Sequence, residues 1–87
     1  MSIAEEINRQ IKHIEQKIIA ITGADPRKTP ETVSANYWCG RQTASTTTDF
    51  IYTLQSLGII STEEHANFFV KISNLNNDLV RAYNKYF

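Results

Sequence analysis

Apolar positions in the first quarter of the chain follow a helical repeat. The steps between successive isoleucines are four, three, four and three residues, which is the a/d spacing of an amphipathic helix. The repeat is formed by Ile7, Ile11, Ile14, Ile18 and Ile21. Gly23 follows, and glycine commonly ends helices because it tolerates the left-handed conformation. The pattern predicts a first helix over about residues 2–22.

A short polar segment with two prolines interrupts the helical pattern. Pro26 and Pro30 prevent a continuous helix through this region, because proline lacks a backbone N–H and restricts the residue before it. Thr29, Pro30 and Glu31 then supply an N-cap, a proline in the first helical position and an acid in the first turn. We therefore predict a linker over residues 23–29 and a second helix that begins at residue 30.

The middle of the chain is less regular. Gly40 and the run of small and hydroxyl residues at 43–48 weaken the helical propensity. Either a helix over about 30–40 is followed by another over about 45–57, or one bent helix continues through both. We favour the bent or broken form, because Ser45 before Asp49 offers hydrogen bonds that compete with an uninterrupted helix.

The last third of the chain predicts a long terminal helix. Ser61 and Glu64 match the S-x-x-E capping box, which satisfies exposed backbone N–H groups at a helix start. Apolar residues then recur at helical spacing and predict a helix over about 62–86. We expect one all-α domain over residues 1–87, with three to four helices in a bundle-like arrangement. Long amphipathic N- and C-terminal helices would flank a helical hairpin.

Size and composition limit the classes of partner and reaction. The chain has 87 residues, with nine Lys and Arg against nine Asp and Glu. This neutrality argues against a nucleic-acid polymer or a membrane surface as the main partner. A domain this small buries only about 60% of its unfolded surface, which favours assembly. With neither a basic N-terminal segment nor a ~20-residue apolar run, we expect a cytoplasmic protein, or one of the host cytoplasm if a phage encodes it.

The isoleucine repeat has two possible roles. It packs inside one chain, or it forms part of an interface between copies of the chain. A terminal helix of about 25 residues extends roughly 37 Å, which is long for a monomer of this size to cover and favours a homo-oligomer. Asn76 lies in line with Phe69 and Tyr83, where its amide could pair with a symmetry mate or lie at a solvated edge. The predicted self-association residues are Ile7, Ile11, Ile14, Ile18 and Asn76.

Neither a catalytic group nor a metal site is evident in the sequence. Cys39 could pair with His13 or His65, but no nucleophile signature surrounds the cysteine and no third orienting group is apparent. The two histidines and one cysteine also lack the spacing of a zinc site, and there is no Gly-rich phosphate loop. We therefore predict no enzyme activity, no metal and no cofactor.

The most suggestive cluster for binding is an aromatic and hydroxyl-rich stretch over residues 37–48. Aromatic rings can stack on a base, an arginine can bind phosphate, and hydroxyls can complete a nucleotide pocket. Trp, Tyr and Arg are also the residues enriched in protein-interface hot spots. Alternatively, the aromatic residues are core anchors and the threonines form a polar helix face. The predicted binding residues are Tyr37, Trp38, Arg41, Thr43 and Thr47.

No motif in the chain identifies a known family. In size, charge and helical character it resembles the small accessory and inhibitor proteins of phages and mobile elements. We therefore expect a non-enzymatic, self-associating binding protein that acts by stoichiometric occupation of a partner protein. One alternative is an oligomer that sequesters a small phosphorylated signalling nucleotide at residues 37–48, and another is a coiled-coil adaptor.

Overall fold

Three helices account for most of the chain. The computed structural model describes residues 2–24 and 26–87, so Met1 and the linker residue Asp25 lie outside the described residues. Each helix packs against both others, so the protein is a three-helix bundle, with Cα extents of 46 × 24 × 15 Å. The described residues contain no β-strand. The helices are α1 (Ile3–Thr22), α2 (Pro30–Ser56) and α3 (Thr62–Tyr86).

Local capping explains where the helices begin. The Ser61 hydroxyl accepts a hydrogen bond from the Glu64 N–H at 3.0 Å, and the Glu64 carboxylate accepts one from the Ser61 N–H at 3.0 Å. Ser2 caps α1 in the same way, and Thr29 caps α2 immediately before Pro30. These bonds satisfy N–H groups that have no partner within the helix. The bounds of α3 coincide with those predicted from the sequence.

The end of α1 differs from the sequence expectation. Gly23 has φ −70° and ψ 155°, which is extended backbone rather than the left-handed conformation. Its N–H donates to the Ile19 carbonyl at 2.7 Å. The Lys28 ammonium donates to the Ile21 and Gly23 carbonyls at 2.9 and 2.8 Å. Lys28 of the linker therefore satisfies two carbonyls at the end of α1. In a left-handed glycine cap, backbone N–H groups would donate to such carbonyls instead.

Of the two alternatives predicted for the middle of the chain, the structure has the single helix, and α2 runs without interruption through residues 43–48. Hydroxyl groups in this run hydrogen-bond to carbonyls one turn earlier, so they are satisfied within the helix rather than in competition with it. Gly40 has a tertiary reason for its place in the helix, because a Cβ there would lie 2.7 Å from Leu79 Cδ2. The donors to carbonyls four residues back are Thr43, Thr46, Thr47, Thr48 and Thr53.

The turn between α2 and α3 depends on a glycine. Gly58 has φ 74°, a left-handed conformation that side chains disfavour. Its N–H donates to the Gln55 carbonyl at 3.0 Å, and the Ile59 N–H donates to the Leu54 carbonyl at 2.8 Å. This pair of bonds is a Schellman motif, which reverses the chain direction in few residues.

Two hydrophobic clusters fill the bundle. The first contains mainly aliphatic residues of α1 and α2 with Ile72 of α3, and the second combines Tyr37 with aliphatic residues near the other end. Ile18 packs against both clusters. The first cluster consists of Ile7, Ile11, Ile14, Ala44, Ile51, Leu54, Ile60 and Ile72. The second consists of Ile21, Val33, Tyr37, Leu79 and Ala82.

The packing places the isoleucine repeat inside a single chain. Ile7, Ile11 and Ile14 are buried against the chain's own α2 and α3, and Ile18 is half-buried between the two clusters. In this fold, buried side chains cannot also meet a second copy. Of the residues predicted for self-association, Asn76 lies outside both clusters and lines a surface groove. Any assembly therefore has to use other apolar groups.

Candidate functional site

The structure separates the binding residues that the sequence analysis grouped together. Successive residues of an α-helix are rotated by about 100°, so Arg41 and Thr43 lie on different sides of α2. Thr43 lines a hollow beside His13 of α1. Thr47 is only 3% exposed, and its hydroxyl donates to the Thr43 carbonyl at 2.7 Å. The two threonines therefore do not share a site with Arg41.

Tyr37 is a core residue that holds Arg41. Its ring stacks on Tyr83 of α3 with centroids 4.0 Å apart and 25° between the planes. Its hydroxyl accepts a hydrogen bond from Arg41 Nη1 at 2.8 Å. The Trp38 and Tyr37 rings are 5.0 Å apart between centroids with 72° between their planes, and Trp38 is 62% exposed. The predicted aromatic pair thus divides into a buried positioning residue and an exposed ring.

Arg41 lines a groove between α2 and α3, which we call the Arg41 groove. It has a volume of about 290 Å³ and is open to solvent. The two helices are antiparallel and joined by a short turn, so the residues of α3 that face Arg41 are distant from it in sequence. The groove is lined by Arg41, Ala44, Ser45, Thr48 and Asp49 of α2 and by Phe69, Ile72, Ser73 and Asn76 of α3.

Sequence reasoning left the α3 wall out of the binding site. Phe69 and Ser73 were not predicted as site residues, and Asn76 was predicted as a self-association residue. Their signal in the sequence is an i, i+4, i+7 row on α3, which marks one helix face. The row could be matched to Arg41 only once α3 was known to pack antiparallel against that side of α2.

The polar groups of the groove have free hydrogen-bonding capacity. Arg41 is half-buried, and among the described residues it has no carboxylate within ion-pair distance and no acceptor besides the Tyr37 hydroxyl. Since a guanidinium has five N–H donors, most of them remain for a ligand or water. The other side chains that form no hydrogen bond within the described residues are Ser45, Asp49, Ser73 and Asn76.

Exposed aromatic rings lie along the same side of the bundle. Phe69 stacks on His65 with centroids 6.0 Å apart, and His65 contacts Tyr52 of α2 at 6.4 Å. Phe69 is 45% exposed and Tyr52 is 63% exposed. With Trp38 they form what we call the aromatic face, defined as Trp38, Tyr52 and Phe69. Arg41 lies between Trp38 and Tyr52 along α2.

The cysteine lies on the opposite side of α2, against α1. Cys39 Sγ is 3.7 Å from His13 Nε2, so the fold brings together one of the two pairs considered from the sequence. Among the described residues no side chain hydrogen-bonds the other ring nitrogen of His13. Across residues 2–24 and 26–87, no three His, Cys, Asp or Glu residues lie together as metal ligands. The pair therefore lacks the third group that a catalytic triad uses to orient its base.

Similarity to known proteins gives no indication of the function of this chain. No family model, curated protein or solved structure matches the chain. None of the described helices combines the length and the apolar character that crossing a membrane requires. The chemistry of the Arg41 groove and the aromatic face is therefore the basis for the function we propose.

Proposed function

We propose that this chain is a non-enzymatic helical binding protein that self-associates and acts by stoichiometric occupation of a partner protein. The observation that carries the proposal is the aromatic face, where Trp38 and Tyr52 expose most of their rings on either side of Arg41 along α2. Trp, Tyr and Arg are the residues most enriched among interface hot spots. A face that combines all three is suited to a partner with matching apolar pockets.

Most of the surface of the Trp38 and Tyr52 rings lies outside the hydrophobic core. The two hydrophobic clusters are complete without Trp38 and Tyr52, whose rings lie largely outside the core. When a partner buries an exposed tryptophan, a large apolar area leaves water, which favours binding. The aromatic face is therefore better explained by binding than by folding.

Capture from host lysate with a matched control tests the partner proposal. Immobilised wild-type protein should retain one saturable species in a defined ratio, and Trp38→Ala should lose it. Ile19→Ala is the control, because Ile19 is 65% exposed but lies on α1, outside the aromatic face. Equal capture by the wild type and Trp38→Ala would exclude Trp38 as an anchor.

Self-association has a separate test. Since the isoleucines of α1 are buried, copies would associate through exposed apolar groups such as Leu57 and Ile59. Light scattering at micromolar concentration should give a mass of two or more times 9.9 kDa. A clean monomer would remove the oligomer from the proposal and leave the partner-binding face to be judged alone.

A second candidate function is the sequestration of a small phosphorylated nucleotide. It is favoured by the Arg41 groove, where an arginine without a carboxylate partner among the described residues lies beside hydroxyl, amide and aromatic groups. Thermal unfolding with a panel of mono-, di- and cyclic nucleotides tests it. A ligand at 100 times its dissociation constant should stabilise the fold by about 2.7 kcal/mol. No shift with any nucleotide would exclude this function.

A further inference from the structure

We infer that the Arg41 groove takes a single nucleoside monophosphate in one orientation, with the phosphate at Arg41 and the base at Phe69. The inference rests on the second candidate function and gives it a ligand class and a direction. It follows from the order of chemical groups along the groove. The cationic group is at one end, and the carboxylate and the aromatic ring are at the other.

The antiparallel packing of α2 and α3 sets that order. Arg41 and Asp49 are eight residues apart on α2, which separates them by about 12 Å along the helix axis. On α3 the chain direction is reversed, so Asn76 lies towards the Arg41 end and Phe69 towards the Asp49 end. Ser45 and Ser73 lie between them. The groove thus runs from cation and amide, through hydroxyls, to carboxylate and ring.

Each part of a nucleoside monophosphate matches one part of this order. A phosphate can accept hydrogen bonds from the Arg41 guanidinium and from the Asn76 amide. The guanidinium can bind two phosphate oxygens at once in a bidentate arrangement. Ribose hydroxyls can donate to Asp49, whose carboxylate has no hydrogen-bond donor among the described residues. The Phe69 ring stacks on His65 and is 45% exposed, and its exposed surface can stack on the base.

Charge disfavours the reverse orientation, and the volume of the groove fits a single nucleotide. A phosphate at the other end would lie beside Asp49, where two negative charges repel each other. The volume of about 290 Å³ is at the lower limit for small-molecule sites, which suits one nucleotide rather than two. Asp49 therefore acts as a selector that keeps the phosphate at the Arg41 end.

The test uses the full chain with 5′-AMP as the probe and calorimetry as the readout. Arg41→Gln should weaken binding about tenfold or more, since it removes a charge-assisted hydrogen bond to phosphate. Phe69→Leu should weaken it about fivefold or more by removing the stacking surface. Arg81→Gln is the matched control, because Arg81 is exposed on α3 and pairs with Asp78 away from the groove. It should bind 5′-AMP like the wild type.

Fragments of the ligand test the orientation, with NMR spectra of the labelled full chain to detect weak binding. Ribose 5-phosphate should shift signals of Asn76 and lose this effect in Arg41→Gln but not in Phe69→Leu. Adenosine should show the opposite dependence. If Arg41→Gln abolishes the effect of adenosine and spares that of ribose 5-phosphate, the orientation is wrong.

Two further outcomes separate this inference from the function on which it rests. Binding of a dinucleotide or cyclic nucleotide that is unaffected by Arg41→Gln and Phe69→Leu would overturn the inference and leave nucleotide sequestration standing. If the chain binds no nucleotide in the thermal panel, the second candidate function and the inference fail together.

Discussion

The two hydrophobic clusters differ in how they connect to the surface. The first is closed by aliphatic side chains such as Ile14 and Ile51, which have no polar atom to offer outside. The second contains Tyr37, whose ring is buried while its hydroxyl accepts a hydrogen bond from Arg41. One cluster therefore contributes stability alone, whereas the other also fixes the position of Arg41, a candidate binding residue.

This difference explains why the candidate site lies where it does. A buried tyrosine has a rigid ring and a polar tip. Packing that fixes the ring therefore also fixes the hydroxyl and the surface group bonded to it. Tyr37 is held by its stack on Tyr83, and in turn it holds Arg41. Threonines elsewhere on α2 bond to their own helix and position nothing beyond it. The comparison can be tested by substitutions in each cluster, beginning with the largest expected effect.

Ile14→Asp should unfold the protein. Ile14 is fully buried in the first cluster, and a carboxylate there would have no partner to offset its desolvation. The expected loss exceeds about 4 kcal/mol, which is comparable to the whole stability of a domain of this size. Circular dichroism should show loss of helix at 25 °C, whereas the conservative control Ile14→Val should remain folded. An unchanged melting curve for Ile14→Asp would show that α1 is not packed as described.

Leu79→Ala should destabilise the second cluster by about 2–5 kcal/mol by leaving a cavity. The effect of Gly40→Ala on stability should depend on whether Leu79 is present, because the new methyl group would lie too close to Leu79 Cδ2. In the Leu79→Ala background helix propensity should stabilise the fold by at most about 1 kcal/mol, because the new methyl group still lies 3.3 Å from Lys17 Cβ on α1. In the wild type this gain should be offset by the clash. Equal effects in both backgrounds, measured by denaturant unfolding, would contradict the close packing of α2 and α3.

Tyr37→Phe should have a smaller effect on stability and a specific effect on the surface. It keeps the stacked ring but removes the acceptor for Arg41, at a cost of about 1 kcal/mol in unfolding free energy. Tyr52→Phe is the control, because the Tyr52 hydroxyl forms no hydrogen bond within the described residues. Thermal unfolding should separate the two variants. Equal melting temperatures would mean that the tyrosine hydroxyl does not anchor Arg41.

Glu6→Gln should give the smallest change, at the surface over the first cluster. A hydrogen bond from Arg9, then one from Gln10, lowers the pKa of the Glu6 carboxyl below its ordinary value of 4.5. A depressed pKa stabilises the fold above pH 4.5, and this contribution is lost as the pH falls through the lowered value. Denaturant unfolding from pH 7 to pH 3 should show a small deficit for Glu6→Gln that disappears in acid. Glu15→Gln, at an exposed carboxylate, is the comparison variant, and a deficit that persists at pH 3 would contradict this assignment.

The helices were largely predictable because their signals are local. The N-cap at Ser61, the proline at residue 30 and the isoleucine repeat of α1 are read within a few residues, and the α-helical class followed from them. The continuity of α2 was one of two alternatives that the sequence left open, since the threonine run is compatible with either until its hydroxyls hydrogen-bond to carbonyls one turn back. The role of Gly40 could not be predicted either. The residue leaves space for the Leu79 side chain, which belongs to another helix.

The sequence by itself determined the fold class, the helix starts and the amphipathic character of α1 and α3, since capping and periodicity depend on neighbours in the chain. Only the tertiary structure decided which residues share a surface. It placed the isoleucine repeat in the core, separated Thr43 and Thr47 from Arg41, and brought Phe69 and Asn76 to the same groove. The physical reason is that contacts between helices join residues far apart in the sequence. Which face of a helix is buried and which stays exposed is therefore decided only when the helices pack together.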